Sequence, residues 1–185
     1  KGKLRMEHKN ILIISASPRI ASNSSALVGA FAEGAIESGA EVEYVSLRNA
    51  DLGFCRGCLA CQSTGSCVIN DDAGEIVRKM HDADVLAFAT PVYYNSVSGQ
   101  LKTMLDRANP LFSADYKFRD IYLFTVAAEA DEQPEKGPLE TLRGWASCFP
   151  KAKIAGHVFA GGAAAPGDIK GHPALKTAYE TGKAV

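Results

Sequence analysis

The sequence lacks the signatures of several large protein classes. It contains no Gly-x-Gly-x-x-Gly and no Walker Gly-Lys-Ser/Thr, which argues against a tightly held dinucleotide or nucleoside triphosphate. No apolar run approaches the roughly 20 residues that span a bilayer. Basic residues form no block. Twenty Lys and Arg stand against 21 Asp and Glu for a net charge of −1, so nothing marks a nucleic-acid or membrane partner, and small molecules are expected. The polar start, Lys1 to Asn10, has no secretory apolar core. It reads as a cytoplasmic protein with Met6 as initiator and residues 1–8 as a disordered or vector-derived lead-in. Histidine is sparse, and no spacing pairs His8, His81, His157 or His172 with a nucleophile or a metal; each reads as a surface or satisfied core residue.

What is present suits one domain, residues 9–185, large enough to bury roughly 70% of the unfolded surface. Hydrophobic residues make up 46% and charged residues 22%, a soluble globular balance. Apolar runs and helical periodicities alternate along the whole chain. Ile11 to Ile14 reads as a buried central strand, followed by a hydroxyl-rich loop and a helix from Ser24 to Ser38 that Gly39 stops. Further strands are expected at Glu41 to Leu47, at Val85 to Thr90 with Pro91 ending it, at Ile121 to Ala127 and at Lys153 to Ala160. Between them lie a helix capped by Asp71 or Asp72, a helix from about Ser98 and a helix carrying Leu139, Leu142, Trp145, Ala146 and Phe149. In the second of these Leu101, Met104 and Leu105 face inward while Lys102, Asp106 and Arg107 face out; a last helix follows Pro173. Five strands alternating with helices imply an α/β fold: a doubly wound parallel sheet with helices on both faces. The alternation does not give the strand order; of the two common doubly wound orders, five strands fit the flavodoxin-like 2-1-3-4-5 better than a full dinucleotide fold.

That order sets the loops Ser15 to Ser25 and Pro91 to Ser98 side by side at the carboxyl edge, where open sheets bind ligands. The first offers hydroxyls, N–H groups and a helix start to an anion. The second offers Tyr93, Tyr94 and Asn95 to a planar ring, and a phosphate clamp beside a ring loop suggests a phosphorylated aromatic cofactor. For the tyrosines, packing in the core or at an interface is the ordinary alternative.

The segments Ser15-Ala-Ser-Pro-Arg-x-x-Ser-Asn-Ser and Thr90-Pro-Val-Tyr-Tyr-Asn-Ser-Val-Ser-Gly-x-Leu-Lys-x-x-x-Asp-Arg resemble the NAD(P)H-dependent FMN reductases of flavodoxin-like fold. The resemblance implies that Ser15, Ser17, Arg19, Ser22, Asn23 and Ser24 bind the FMN phosphate. It likewise sets Pro91, Val92, Tyr93, Tyr94, Asn95 and Ser96 along the ring and gives Asp106-Arg107 a structural role. It also implies NAD(P)H as electron source, a flavin, quinone or other small molecule as acceptor, and a homodimer or homotetramer whose partner chain completes the flavin site. A flavodoxin-like electron carrier or redox-responsive FMN-binding module without NAD(P)H turnover is the rival reading. The segment after the fourth strand, Ala127-Ala-Glu-Ala-Asp, lacks the glycines expected beside a flavin ring.

Five cysteines, four of them between Cys55 and Cys67, look wrong for a secreted disulfide scaffold. Cys55, Cys58, Cys61 and Cys67 form Cys-x2-Cys-x2-Cys-x5-Cys, which resembles the iron-sulfur flavoproteins of the same group. A [4Fe–4S] cluster, a zinc ion or four reduced thiols would each satisfy the spacing. Cys148, beside Trp145 and Phe149, reads as a small core residue. Asp71-Asp72 reads as a helix cap rather than an acid–base dyad.

Overall fold

A computed structural model describes residues 8–131 and 133–185; the expectations for the lead-in before His8, Met6 among them, lie outside the described residues. Five strands, β1 (Asn10–Ser15), β2 (Glu41–Ser46), β3 (Val85–Pro91), β4 (Asp120–Val126) and β5 (Lys153–Ala160), form one sheet. Every neighbouring pair is parallel and the order is β2-β1-β3-β4-β5, the doubly wound arrangement that five strands fit better. β1 and β3 lie inside the sheet, and their apolar runs are continuous because both faces are covered; β2, at the edge, stays largely exposed.

The helices are α1 (Asn23–Glu37), α2 (Ala60–Thr64), α3 (Ala73–Asp82), α4 (Gly99–Arg107), α5 (Lys136–Ala146) and α6 (Pro173–Lys183). Alternate strand residues serve two cores. Ile11, Ile13, Val85, Ala87 and Phe124 pack with α1 and α6 on one face. Leu12, Ile14, Leu86, Phe88 and Leu123 pack with α3, α4 and α5 on the other. A slip of one residue in any strand would exchange these faces, so the pattern fixes the register. Among the described residues no helix is long and apolar enough to cross a membrane.

Two expectations are overturned. Arg107, expected to face out, is buried with its side chain at 0% exposure. The loop after β2 covers the end of α4 and reaches Arg107 across 54 positions of sequence, a cover that helical periodicity cannot register. Cys148, expected in the core, is exposed: α5 ends at Ala146, and the tight turns that carry the chain on to Phe149 leave this thiol outside. Lys102 and Asp106 do face out and pair at 2.7 Å.

Candidate functional site

The carboxyl end of β1 opens into a loop whose hydroxyls are mostly sequestered: Ser15, Ser17, Ser22, Asn23 and Ser24 are all buried. Ser22 is the N-cap of α1, its Oγ accepting from the Ser25 N–H at 3.2 Å and lying 2.9 Å from Ser24 Oγ. The first turn of α1 carries no acidic residue, so nothing in that turn offsets the positive helix end that favours an anion. Ser15 Oγ is engaged with Ser25 Oγ at 2.8 Å. Asn23 serves as a brace. Its Nδ2 donates to the Ala163 and Ala165 carbonyls, and its Oδ1 accepts from the Gly167 and Ile169 N–H groups. The carboxamide therefore spends its hydrogen bonds on the loop after β5. Arg19 is exposed and donates to the Ala164 carbonyl at 2.6 Å, reaching over the same loop.

Two residues lock this loop to the next one. Ser98, the N-cap of α4, donates its hydroxyl to the Ala16 carbonyl at 3.1 Å, and its N–H donates to Thr90 Oγ1 at 3.0 Å. The Ala16 N–H donates to the Ala89 carbonyl at 2.8 Å. The ends of β1 and β3 are thereby fixed beside each other, and a cleft of about 160 Å³ lies between their loops. Ser17, Arg19, Ser22, Asn23, Ser24, Pro91, Val92 and Tyr93 line it, together with Val126, Ala128, Ala163 and Ala164. Of the residues expected at the site, Ser15, Tyr94, Asn95 and Ser96 stand outside this lining.

Tyr93 and Ser96 form an isolated antiparallel bridge, each N–H donating to the other's carbonyl at 3.0 Å. The two residues between them, Tyr94 at φ 50° and Asn95 at φ 56°, make a tight turn with both backbones left-handed. Asn tolerates that region; a tyrosine there carries a cost on the order of 1–2 kcal/mol. Tyr94 is fully exposed and Tyr93 is 40% exposed, so neither packs in the core of this chain. The turn is backed by α5: a Cβ at Gly137 would lie 1.6 Å from the Asn95 carbonyl oxygen, so only glycine allows that approach. The glycines missing after β4 are supplied by the neighbouring loop. A Cβ on Gly161 would meet the Glu129 carbonyl oxygen at 2.7 Å, and the Gly162 N–H donates to that carbonyl at 2.9 Å.

On the α5 side of β4 and β5, His157 is half-buried with both ring nitrogens engaged: Nε2 lies 2.9 Å from Thr125 Oγ1 and Nδ1 2.9 Å from Glu135 Oε1. A carboxylate only accepts, which puts the ring proton on Nδ1 and lets the Thr125 hydroxyl donate to Nε2. Burial, with a smaller contribution from Arg143, pushes the pKa down to about 4. Glu135 opposes that shift, but the loss of water around the ring outweighs it.

The cysteine segment occupies a second place. Arg107, at the end of α4, grips both ends of it. Nη1 donates to the Gly53 carbonyl at 2.7 Å and to Asp71 Oδ2 at 2.5 Å; Nη2 donates to Asp71 Oδ1 at 2.8 Å and to the Ile69 carbonyl at 3.3 Å. Arg107 holds the Asp71 carboxyl below the usual aspartate range. The N-cap position of α3 falls to Asp72, whose side chain makes no cap bond; Asp71, one residue earlier, accepts from the Ala73 N–H but is chiefly the buried partner of Arg107. Between the clamped ends, Cys55, Cys58, Cys61 and Cys67 line one cavity of about 460 Å³ walled by Leu105, Trp145 and Phe149, and the exposed Cys148 lines it as well. The backbone is special here: Leu59 (φ 58°), Gly57 (φ 65°) and Gly65 (φ 72°) are all left-handed. Besides the Arg107 guanidinium, which bonds Cys67, two N–H donors reach sulfur among the described residues. The Gly57 N–H donates to Cys55 Sγ at 3.5 Å and Asn109 Nδ2 to Cys61 Sγ at 3.1 Å.

Among the described residues no three His, Cys, Asp or Glu side chains converge tightly enough to hold one metal ion. Four sulfurs around a single zinc, at about 2.3 Å each, would stand roughly 3.8 Å apart. A [4Fe–4S] cluster takes one thiolate per iron and spreads them wider. The four cysteines share one cavity and neutral N–H donors reach two of the sulfurs, a donor set of the kind an iron-sulfur cluster takes. The Arg107 guanidinium, held above its ordinary pKa chiefly by Asp71 with Cys67 contributing, adds a buried cation beside Cys67. Its Nε is the buried side-chain nitrogen or oxygen without a hydrogen-bond partner among the described residues.

Sequence reasoning missed Arg107 as a clamp, Asn109 as a sulfur donor and Ser98 and Thr90 as the lock between the loops. Ser98 was visible only as a helix start, and Asp106-Arg107 only as part of a structural motif.

Residues 9–166 match the family model described as NADPH-dependent FMN reductase. An iron-sulfur flavoprotein of Methanocaldococcus jannaschii is 42% identical over 101 residues, covering 55% of this chain and 52% of that protein. The chain spans about half the length of the curated relatives it matches. The NAD(P)H:quinone oxidoreductase from Methanothermobacter marburgensis superposes with a TM-score of 0.72 at 21% identity, covering 95% of this chain and 96% of that one. An FMN-dependent NADH-azoreductase from Bacillus anthracis in complex with FMN gives 0.70 at 15% identity, over 95% and 98%. At these identities the likeness of the solved structures is one of fold.

Proposed function

The chain belongs to the NADPH-dependent FMN reductase family, and on that premise we propose that it is an FMN-dependent oxidoreductase drawing electrons from NAD(P)H. The observation that carries the reading is the lock through Ser98, which joins an acid-free helix start to the Tyr93–Ser96 turn across one cleft. Ser17, Ser22, Ser24 and Arg19, with the first N–H groups of α1, would hold the phosphate; Pro91, Val92 and Tyr93 would border the ring. FMN, when bound, supplies the hydride and electron chemistry. The chain binds it, orients it and walls one side with Val126, Ala128 and Ala163. No side chain is needed as acid or base.

The finer reading adds a [4Fe–4S] cluster held by Cys55, Cys58, Cys61 and Cys67, with one-electron transfer as its chemistry and a quinone, flavin or other small molecule as acceptor. Their common cavity, the two N–H donors to sulfur and the names of the curated relatives support it. Five free cysteines suit a reducing compartment, the cytoplasm. The exposed Tyr94 and Ile20, on the two loops flanking the cleft, suit a homo-oligomer.

Anaerobic purification with quantification of FMN, iron, sulfide and zinc, followed by NAD(P)H oxidation with an added quinone or flavin, tests both parts. Folded protein that takes up no FMN removes the central claim. Bound FMN without NAD(P)H turnover points to the carrier reading instead, and stoichiometric zinc without iron removes the cluster.

A further inference from the structure

We infer that Asn109 is a positioning residue of the cysteine centre, its side-chain N–H donating to Cys61 Sγ so as to fix that sulfur and raise the centre's reduction potential; this rests on the cluster reading above. Cys61 is the one cysteine of the four that lies in a helix and is buried, at 8% exposure. Its helix, α2, has only five residues, too short to hold itself in water, so its position comes from what it docks on. That platform is the turn of 3-10 helix at Asn109–Ser113, which continues directly from α4. Two side-chain bonds make the junction: Asn109 Nδ2 to Cys61 Sγ at 3.1 Å and the Ser113 hydroxyl to the Gln62 carbonyl at 3.2 Å. Two residues before Asn109, Arg107 clamps the ends of the cysteine segment, so Asn109 is itself rigidly placed.

A neutral donor at a ligating sulfur withdraws negative charge from the centre, and it does so more strongly in the reduced form, which carries one more electron. The bond therefore favours reduction, and hydrogen bonds to sulfur are among the determinants of cluster potential. Gly57 provides a second such bond at Cys55, but from the backbone, where no side-chain change can remove it. Asn109 is the neutral side-chain donor that substitution can set, whereas Arg107, which also bonds Cys67, is the charged clamp of the segment. The same α4 begins at Ser98, against the cleft, and its nine residues span about 13 Å. One rigid rod thus sets both the flavin loops and the donor to Cys61.

The experiment is anaerobic reconstitution of the whole chain with iron and sulfide, then a potentiometric titration followed by electron paramagnetic resonance. Trp145, the single tryptophan, lines the cavity, so quenching of its fluorescence reports loading independently. Asn109→Leu is expected to bind as much FMN and iron as the native chain while its centre reduces at a lower potential. Asn109→Ser, which keeps a donor, is expected to fall between the two. Equal potentials in native chain and Asn109→Leu at equal iron content overturn the role of Asn109 and leave the cluster reading standing. Should Asn109→Leu lose its iron, Asn109→Ser decides: a potential below the native value supports the inference, and an equal one overturns it. A native chain that takes up neither iron nor sulfide overturns both.

Discussion

The cleft at the ends of β1 and β3 and the cavity of the cysteine segment are held by opposite means. The cleft sits on regular elements. Its loops begin at strand ends fixed by the sheet, and Ser22, Asn23, Ser98 and Thr90 then bind those loops to one another and to the loop after β5. The cavity is built from irregular backbone. Its three outer cysteines have no strand or long helix beneath them, and one buried ion pair, Arg107–Asp71, closes the segment at both ends. A network with many modest bonds degrades gradually when one is cut; a segment whose ends meet at one buried ion pair, with Asn109 and Ser113 holding only its middle, loses most when that pair is broken.

The largest effect expected follows from that contrast. Arg107→Met leaves Asp71 buried without its partner and should cost about 3–5 kcal/mol in chemical denaturation. The protein that still folds should retain FMN while Cys61, buried in the native chain, becomes open to alkylation. A loss under about 1 kcal/mol would mean that the segment does not hang on this pair. The clamp is also acid-sensitive in a definite sense. Because Arg107 lowers the folded-state pKa of Asp71, its stabilisation is present above the ordinary aspartate value near 3.9 and lost as pH falls through the lowered one.

Gly137→Ala tests the cleft from behind. The new Cβ would stand 1.6 Å from the Asn95 carbonyl oxygen, so the Tyr93–Ser96 turn must shift, at about 1–3 kcal/mol of stability. FMN affinity is expected to fall at least tenfold, about 1.4 kcal/mol, with iron content unchanged. Unaltered FMN titration would detach the turn from the cofactor site.

His157 gives the cleft side its own pH dependence. Its folded pKa lies at about 4, below the unfolded value near 6.5. The neutral, bonded ring therefore stabilises fully above about 6.5, and that stability is lost as pH falls toward about 4, by roughly 1–3 kcal/mol. His157→Gln should flatten the denaturation midpoint across this window, and an unchanged slope would remove His157 as its source.

The smallest effect belongs to Leu59, whose φ of 58° is strained for a side chain with a Cβ. Leu59→Gly should raise stability by up to about 1 kcal/mol, the relief of strain being partly offset by the greater freedom of glycine when unfolded. A measured loss would show that packing of the leucine, not its backbone, decides this position.

Sequence alone determined the fold class and the two loops of the cleft, because each depends on local pattern: continuous apolar runs for covered strands, hydroxyls and an N-cap at a helix start, a tyrosine-rich turn before the next helix. The strand order was chosen between two common arrangements by strand count, and only the packed sheet decided it. Lys153–Ala160 was legible to the residue, since Gly161-Gly162 stops it, and the start of the last helix was legible at Pro173. The cysteine spacing was equally legible as a pattern, but not what surrounds it. Arg107 lay on what a helical wheel makes an outer face, and only the loop arriving from β2 turned that face inward. Cys148 counted as core until α5 ended two residues before it. Asn109 and Gly137 carry no local signal at all, because their roles arise from Cys61 and Asn95, each more than 40 positions away. Local backbone and side-chain preferences act over a few residues and can be read in order. Burial, ion pairing and close approach depend on which distant segment arrives, and that is settled only when the chain packs.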